Sequence, residues 1–130
     1  MISVTEIKDG GERLAALEYL GLKDDSRAAG ARVFAAREND RMAAAGALRL
    51  IQAPARQPQI ALAAEGSDSA VKNLIVRAML NAVRDIKGAA VTTDDPDPLF
   101  LRLGFKKSNG AYSVITDKIN FGASCKENDI

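Results

Sequence analysis

The run from Gln59 to Thr93 constrains this chain more than any other stretch. Gln59-Ile-Ala-Leu-Ala-Ala64 reads as a strand, Glu65-Gly-Ser-Asp-Ser69 as a polar turn, Ala70 to Lys87 as a long helix and Ala89-Ala-Val-Thr-Thr93 as a second strand. A helix of that length carries the chain back along a sheet, so the two strands are expected to run parallel. Val71, Leu74, Ile75, Ala78, Met79, Ala82, Val83 and Ile86 recur at helical period. That spacing predicts Leu74, Ala78, Met79 and Val83 buried against the sheet, with Lys72, Arg77 and Arg84 facing solvent or a ligand. Ser67, Asp68 or Ser69 can cap the helix, and Gly88 can end it. The helix N-terminus falls just past a strand end, where unpaired backbone N–H groups and the helix dipole favour an anion.

The flanking segments fit one sheet. Ile2 to Ile7 alternates as a strand, Asp9-Gly-Gly11 breaks it, and Glu12 to Leu22 carries leucines at helical spacing. Arg32 to Glu38 and Met42 to Ile51 read as a hairpin. The turn Asn39-Asp40-Arg41 joins them, because Asn and Asp tolerate the left-handed backbone of tight turns. Ala43 to Ala47 is small-sided, which suits a strand face closely covered by a helix and, less directly, room for a ligand. Lys23 to Gly30 is read as a loop and Ala53 to Pro58 as a Pro-rich connection. Asp94-Asp-Pro-Asp-Pro98 holds three carboxylates that could bind a hard cation. The stronger reading is a turn in which Asp97 caps the helix begun by Pro98. Ala111 to Asp117 is a closing strand and Ile119 to Ile130 a loose tail.

With 130 residues and 47% apolar content the chain suits one domain, residues 1–118, followed by a C-terminal tail, 119–130. Eighteen basic residues against 17 acidic, with no long basic block, argue against nucleic-acid binding. The apolar runs are too short to span a membrane, and the alternating start argues against a signal peptide. One cysteine, Cys125, excludes an internal disulfide and suits a reducing, cytoplasmic setting. The absence of histidine excludes Ser–His and Cys–His dyads and argues against a zinc site.

The strand–helix–strand order, the upstream hairpin and the closing Leu99-Phe100-Leu101-Arg102-Leu103-Gly104-Phe105 together resemble the acyl-CoA N-acyltransferases of the GNAT superfamily over roughly residues 2 to 118. The resemblance implies an α/β (α+β) fold: a mixed, mostly antiparallel sheet of six or seven strands with helices on both faces. It also implies acetyl-CoA as cofactor, with Ile60, Leu62 and Ala64 along the pantetheine arm and Gly66, Ser67, Ser69, Lys72 and Asn73 around the diphosphate. The family's Arg/Gln-x-x-Gly-x-Gly/Ala motif is missing. Its register falls on Ser69-Ala-Val-Lys72-Asn-Leu74, so Lys72 and Leu74 stand where the backbone should approach phosphate without a Cβ. Phe100 stands where the family often has an acidic tyrosine. Glu65 or Glu38 as base and Tyr112 as acid are the residues left for catalysis.

Two functions are therefore expected from this sequence. One is an acetyltransferase acting on an amine, with weakened or lost cofactor binding. The other is a non-catalytic GNAT-fold protein that holds a partner protein or a small ligand in the old cleft. A third, lesser reading is a dimerisation module that forms a homodimer through its edge strands.

Overall fold

The computed structural model describes residues 2–22, 30–51, 58–108 and 110–121. In chain order these form β1 (Ile2–Glu6), α1 (Gly10–Tyr19), β2 (Arg32–Glu38), β3 (Arg41–Ile51), β4 (Gln59–Gly66), α2 (Ser69–Val83), β5 (Ala90–Thr93), α3 (Leu99–Arg102), β6 (Lys106–Ser108) and β7 (Ala111–Ile115). A single sheet takes the order β1-β2-β3-β4-β5-β7-β6. Its ladders are antiparallel except between β4 and β5, which run parallel as the intervening helix requires. The β2–β3 hairpin closes on Asn39 and Asp40, both at positive φ (53° and 65°).

The strand period of two divides the core. Phe34, Ala36, Ala44, Leu48, Ile60 and Leu62 face α2 on one side, whereas Val33, Ala35 and Ala45 meet Ala16 and Leu17 of α1 on the other. The small-sided stretch of β3 serves close packing: a Cβ on Gly46 would collide with the Met79 thioether. Met79 is itself fully buried.

The buried stripe of α2 is Val71, Ile75, Val76, Met79, Leu80 and Val83. Met79 and Val83 are where the periodicity puts them, but Leu74 is 44% exposed and Ala78 only half-buried, so the inward face is rotated from the expected one. The runs Leu74-Ile75-Val76 and Ala78-Met79-Leu80 offer two stripes of equal period. Burying Leu80 instead of Ala78 removes more apolar surface from water, and that choice wins. The helix also ends at Val83 rather than Lys87. Thr116, buried behind β7, donates its hydroxyl to the Ile86 carbonyl (2.6 Å) and accepts the Ala89 N–H (3.3 Å), which holds residues 84–88 as a turn. Helix α1 begins and ends earlier than the expected Glu12–Leu22, because Asp9 caps it through the Glu12 N–H (3.0 Å).

The chain does not leave the body at residue 118. A 3-10 turn at Thr116–Lys118 leads to Asn120, whose N–H bonds the Leu103 carbonyl (2.8 Å), and to Phe121, whose carbonyl accepts from Arg77 (2.7 Å). The expected loop over 23–29, most of the Pro-rich connection, Cys125 and the tail beyond 121 lie outside the described residues.

Candidate active site

Strand β4 is held along its whole length by β3, from Ile51↔Gln59 to Ala44↔Gly66. On its other side the ladder to β5 covers only Gln59↔Ala90, Ile60↔Val91 and Ala61↔Thr92. The cause is the sequence after Thr93. Successive short side chains capture the backbone there: Thr93 Oγ1 accepts from Asp95 N (3.2 Å), Asp95 Oδ1 from Asp97 N (3.0 Å) and Asp97 Oδ1 from Leu99 N (3.0 Å). These turns, with Pro96 and Pro98, lead the chain away from the sheet and into α3. The helix begins at Leu99 with Pro98 at its N-cap, one residue later than expected, and Asp97 accepts the Leu99 N–H from the residue before the cap. The two strands splay, and a cavity of about 420 Å³ opens between them.

Ala61, Leu62, Ala63 and Ala64 line this cavity from β4, Ala47 beside them on β3, and Leu20, Leu22 and Ala31 contribute from the α1 end. Its charged lining is Arg49, Glu65, Asp94 and Asp95. Of the residues expected along a pantetheine arm, Leu62 and Ala64 line the cavity although both are buried in the same core cluster as Ile60, which does not line it. Glu65 is exposed and lines the cavity. Glu38 is an exposed residue at the far end of β2, paired across the hairpin with Arg41, and is not part of that lining. Tyr112 stands opposite Thr93 in the sheet but is only 8% exposed; it stacks on Phe100 (centroids 6.1 Å apart) within the core and is likewise not part of the lining. Phe100, fully buried, also meets Phe105 edge-on.

The junction between β4 and α2 has a different character. Ser67 N–H bonds the Ala43 carbonyl (2.8 Å), which ties down the strand end. Asp68 caps α2, its Oδ1 accepting from Val71 N (2.9 Å). Ser69 is exposed at the first helical position and Asn73 half-buried in the next turn. A Cβ on Gly66 would lie 2.9 Å from both the amide nitrogen and the Cβ of Lys72, so only glycine lets the helix start this close to the strand end.

The Lys72 side chain is not directed to solvent. Its Nζ lies 2.6 Å from Asp95 Oδ2 and 3.2 Å from Asp97 Oδ2, with side-chain exposures of 13%, 15% and 25% for the three residues. Asp95 Oδ2 is shielded from water and has no hydrogen bond of good geometry, so the charge contact with Nζ is what satisfies it. Burial pushes the Lys72 ammonium down, but hydrogen bonds and charge from the two aspartates outweigh this and hold it above its ordinary value. Asp97 is held below its ordinary value by the Leu99 N–H, with Lys72 adding to the effect against burial. An ammonium group therefore occupies the position between carboxylates that a hard cation would have needed. Sequence reasoning did not pair these residues, although a signal was present. Parallel neighbouring strands end side by side, so the segments that follow β4 and β5 must meet.

No protein-family model and no curated protein sequence matches this chain. Solved structures do. A GNAT family acetyltransferase from Brucella melitensis, in complex with acetyl-CoA, superposes with a TM-score of 0.68 at 12% identity, covering 88% of each chain. Glucosamine-6-phosphate N-acetyltransferase from Arabidopsis thaliana gives 0.63 at 12% identity, covering 84% of this chain and 94% of that one. An N-acetyltransferase from Staphylococcus aureus gives 0.60 at 13% identity, covering 90% and 99%. The fold is therefore that of the GNAT acetyltransferases, as the order of motifs implied. No helix among the described residues is long and apolar enough to cross a membrane.

Proposed function

We propose that the cleft between β4 and β5 holds the acylated end of an acyl-CoA-type thioester and passes the acyl group to an amine, with a weakened grip on the diphosphate. The observation that carries this reading is the splay itself. The β5 ladder stops at Ala61 while β4 runs on to Gly66, which leaves a strand edge beside an open, largely apolar cavity. A strand edge of this kind can hydrogen-bond an amide-rich arm as an added strand would.

The thioester supplies an activated carbonyl. Leu62 and Ala64 flank the arm, and a backbone N–H of β4 polarises the carbonyl oxygen. Glu65, on the cavity wall, takes the proton from the attacking amine. The new C–N bond forms as the C–S bond breaks. Tyr112 lies behind the lining, so the departing thiolate takes its proton from water at the open mouth. A second reading, a non-catalytic GNAT-fold protein holding a small ligand or a partner in the same cleft, draws support from Phe100, which has no proton to give.

Thiol release from acetyl-CoA in the presence of primary amines tests the proposal. Glu65→Gln is expected to slow release by roughly 10²–10⁴-fold with the fold intact by circular dichroism. If the native chain shows no amine-dependent release, the non-catalytic reading stands in its place; if release is present but unchanged by Glu65→Gln, Glu65 is not the base.

A further inference from the structure

We propose that the donor this cleft takes is a thioester of the pantetheine arm alone, without the nucleoside diphosphate that completes coenzyme A. The inference rests on the cleft being a thioester site and concerns the end of the donor furthest from the chemistry. Three features that could receive a diphosphate are already used by the chain. The α2 N-terminus, whose N–H groups and dipole attract anions, has its Val71 N–H bonded to the Asp68 carboxylate at 2.9 Å. A phosphate placed there would lie against that negative charge.

Lys72 is the single cation between Gly66 and Asn73. Its Nζ lies against two carboxylates, at 2.6 and 3.2 Å. An incoming phosphate must replace two formed charge contacts to gain one, and it leaves Asp95 and Asp97 unpaired. The close approach that glycine permits is likewise spent, because Gly66 packs directly on the Lys72 backbone.

The cleft offers the opposite conditions. Ala47, Ala61, Ala63 and Ala64 give it small apolar walls beside the unladdered edge of β4. A pantetheine arm carries amides and methylenes and no nucleotide charge, so the open part of the site matches the arm and the occupied part excludes the nucleotide. Free acyl-pantetheine and the same arm carried on an acyl carrier protein present identical chemistry to these walls.

Calorimetric titration of the native chain with acetyl-pantetheine, acetyl-CoA and adenosine 3′,5′-bisphosphate decides the matter. Acetyl-pantetheine is expected to bind within about tenfold of acetyl-CoA, with no heat from the nucleotide. Acetyl-CoA binding more than about tenfold tighter than acetyl-pantetheine, or measurable binding of the nucleotide alone, overturns the inference and leaves the cleft a thioester site. If neither thioester binds, the cleft's role as a thioester site falls as well. Given binding of the arm, an acetylated acyl carrier protein that binds more tightly than free acetyl-pantetheine assigns the source to the carrier, and equal binding assigns it to the free arm.

Discussion

Two adjoining stretches, the end of β4 and the start of α2, have opposite characters. Along Leu62 to Glu65 the chain after Thr93 has left β4 without a neighbour on that side, and an open cleft results. From Gly66 to Lys72 the helix amide, the lysine and the glycine contact are all satisfied internally. The two are linked through one segment. The Asp-Pro turns after Thr93 end the β5 ladder, which opens the cleft, and the same turns supply the carboxylates that hold Lys72. A single loop thereby opens one end of the site and occupies the other.

The contrast depends on α2 being seated firmly enough to hold the junction shut. Met79 is fully buried, packed against Gly46 of β3. Met79→Ala should cost roughly 2–5 kcal/mol through the cavity it leaves. Chemical denaturation measures this, and an unchanged midpoint would mean that the helix is seated some other way. The open end is challenged next. Ala63 lines the cavity and is only half-buried, so Ala63→Phe fills the cleft with limited damage to the core. Thioester affinity is expected to fall at least about tenfold, or about 1.4 kcal/mol, with thermal stability little altered. Undiminished binding in that variant would move the ligand out of the cleft.

Asp68→Ala challenges the occupied end. Loss of the cap should destabilise the chain by about 0.5–2 kcal/mol, while the freed Val71 N–H lets acetyl-CoA gain a few-fold over acetyl-pantetheine. If the ratio of the two affinities stays the same, the Asp68 carboxylate is not what keeps phosphate out.

Much of this architecture was legible because it follows from local rules. The parallel pair β4–β5 comes from helix length, the hairpin from Asn39-Asp40, and the turn into α3 from Asp97 before Pro98. What was not legible required knowing which of two equal choices wins in three dimensions. Leu74 and Val76 both sit within apolar runs at helical period, and the larger burial available to Val76 and Leu80 against β3 and β4 decides between them. Leu74, expected against the sheet, is 44% exposed instead. Lys72 reads as a surface cation until its neighbour across the splay is known. The cavity itself has no sequence signature beyond the small residues of β3 and β4, which serve helix packing equally well.

The smallest expected effect tests the link between the two ends. Asp97→Asn keeps the side-chain oxygen that accepts the Leu99 N–H but removes the charge facing Lys72. The folded state holds Asp97 below its ordinary value of 3.8, so its contribution is present above that pH and is lost as the pH falls through the lower, folded value. The folded state holds Lys72 above its ordinary value of 10.5, so its contribution is present below that pH and is lost as the pH rises through the higher, folded value. The pair therefore stabilises the chain across the whole interval between 3.8 and 10.5. Because Asp97 is partly solvated and Asp95 keeps its contact with the lysine, Asp97→Asn should cost only about 1 kcal/mol or less at neutral pH. In thermal melts against pH, the midpoints of the native and variant proteins should converge as acid protonates Asp97. A gap that persists unchanged into strong acid would mean the substitution acts through packing, and the Asp97 charge would then not be part of what holds Lys72.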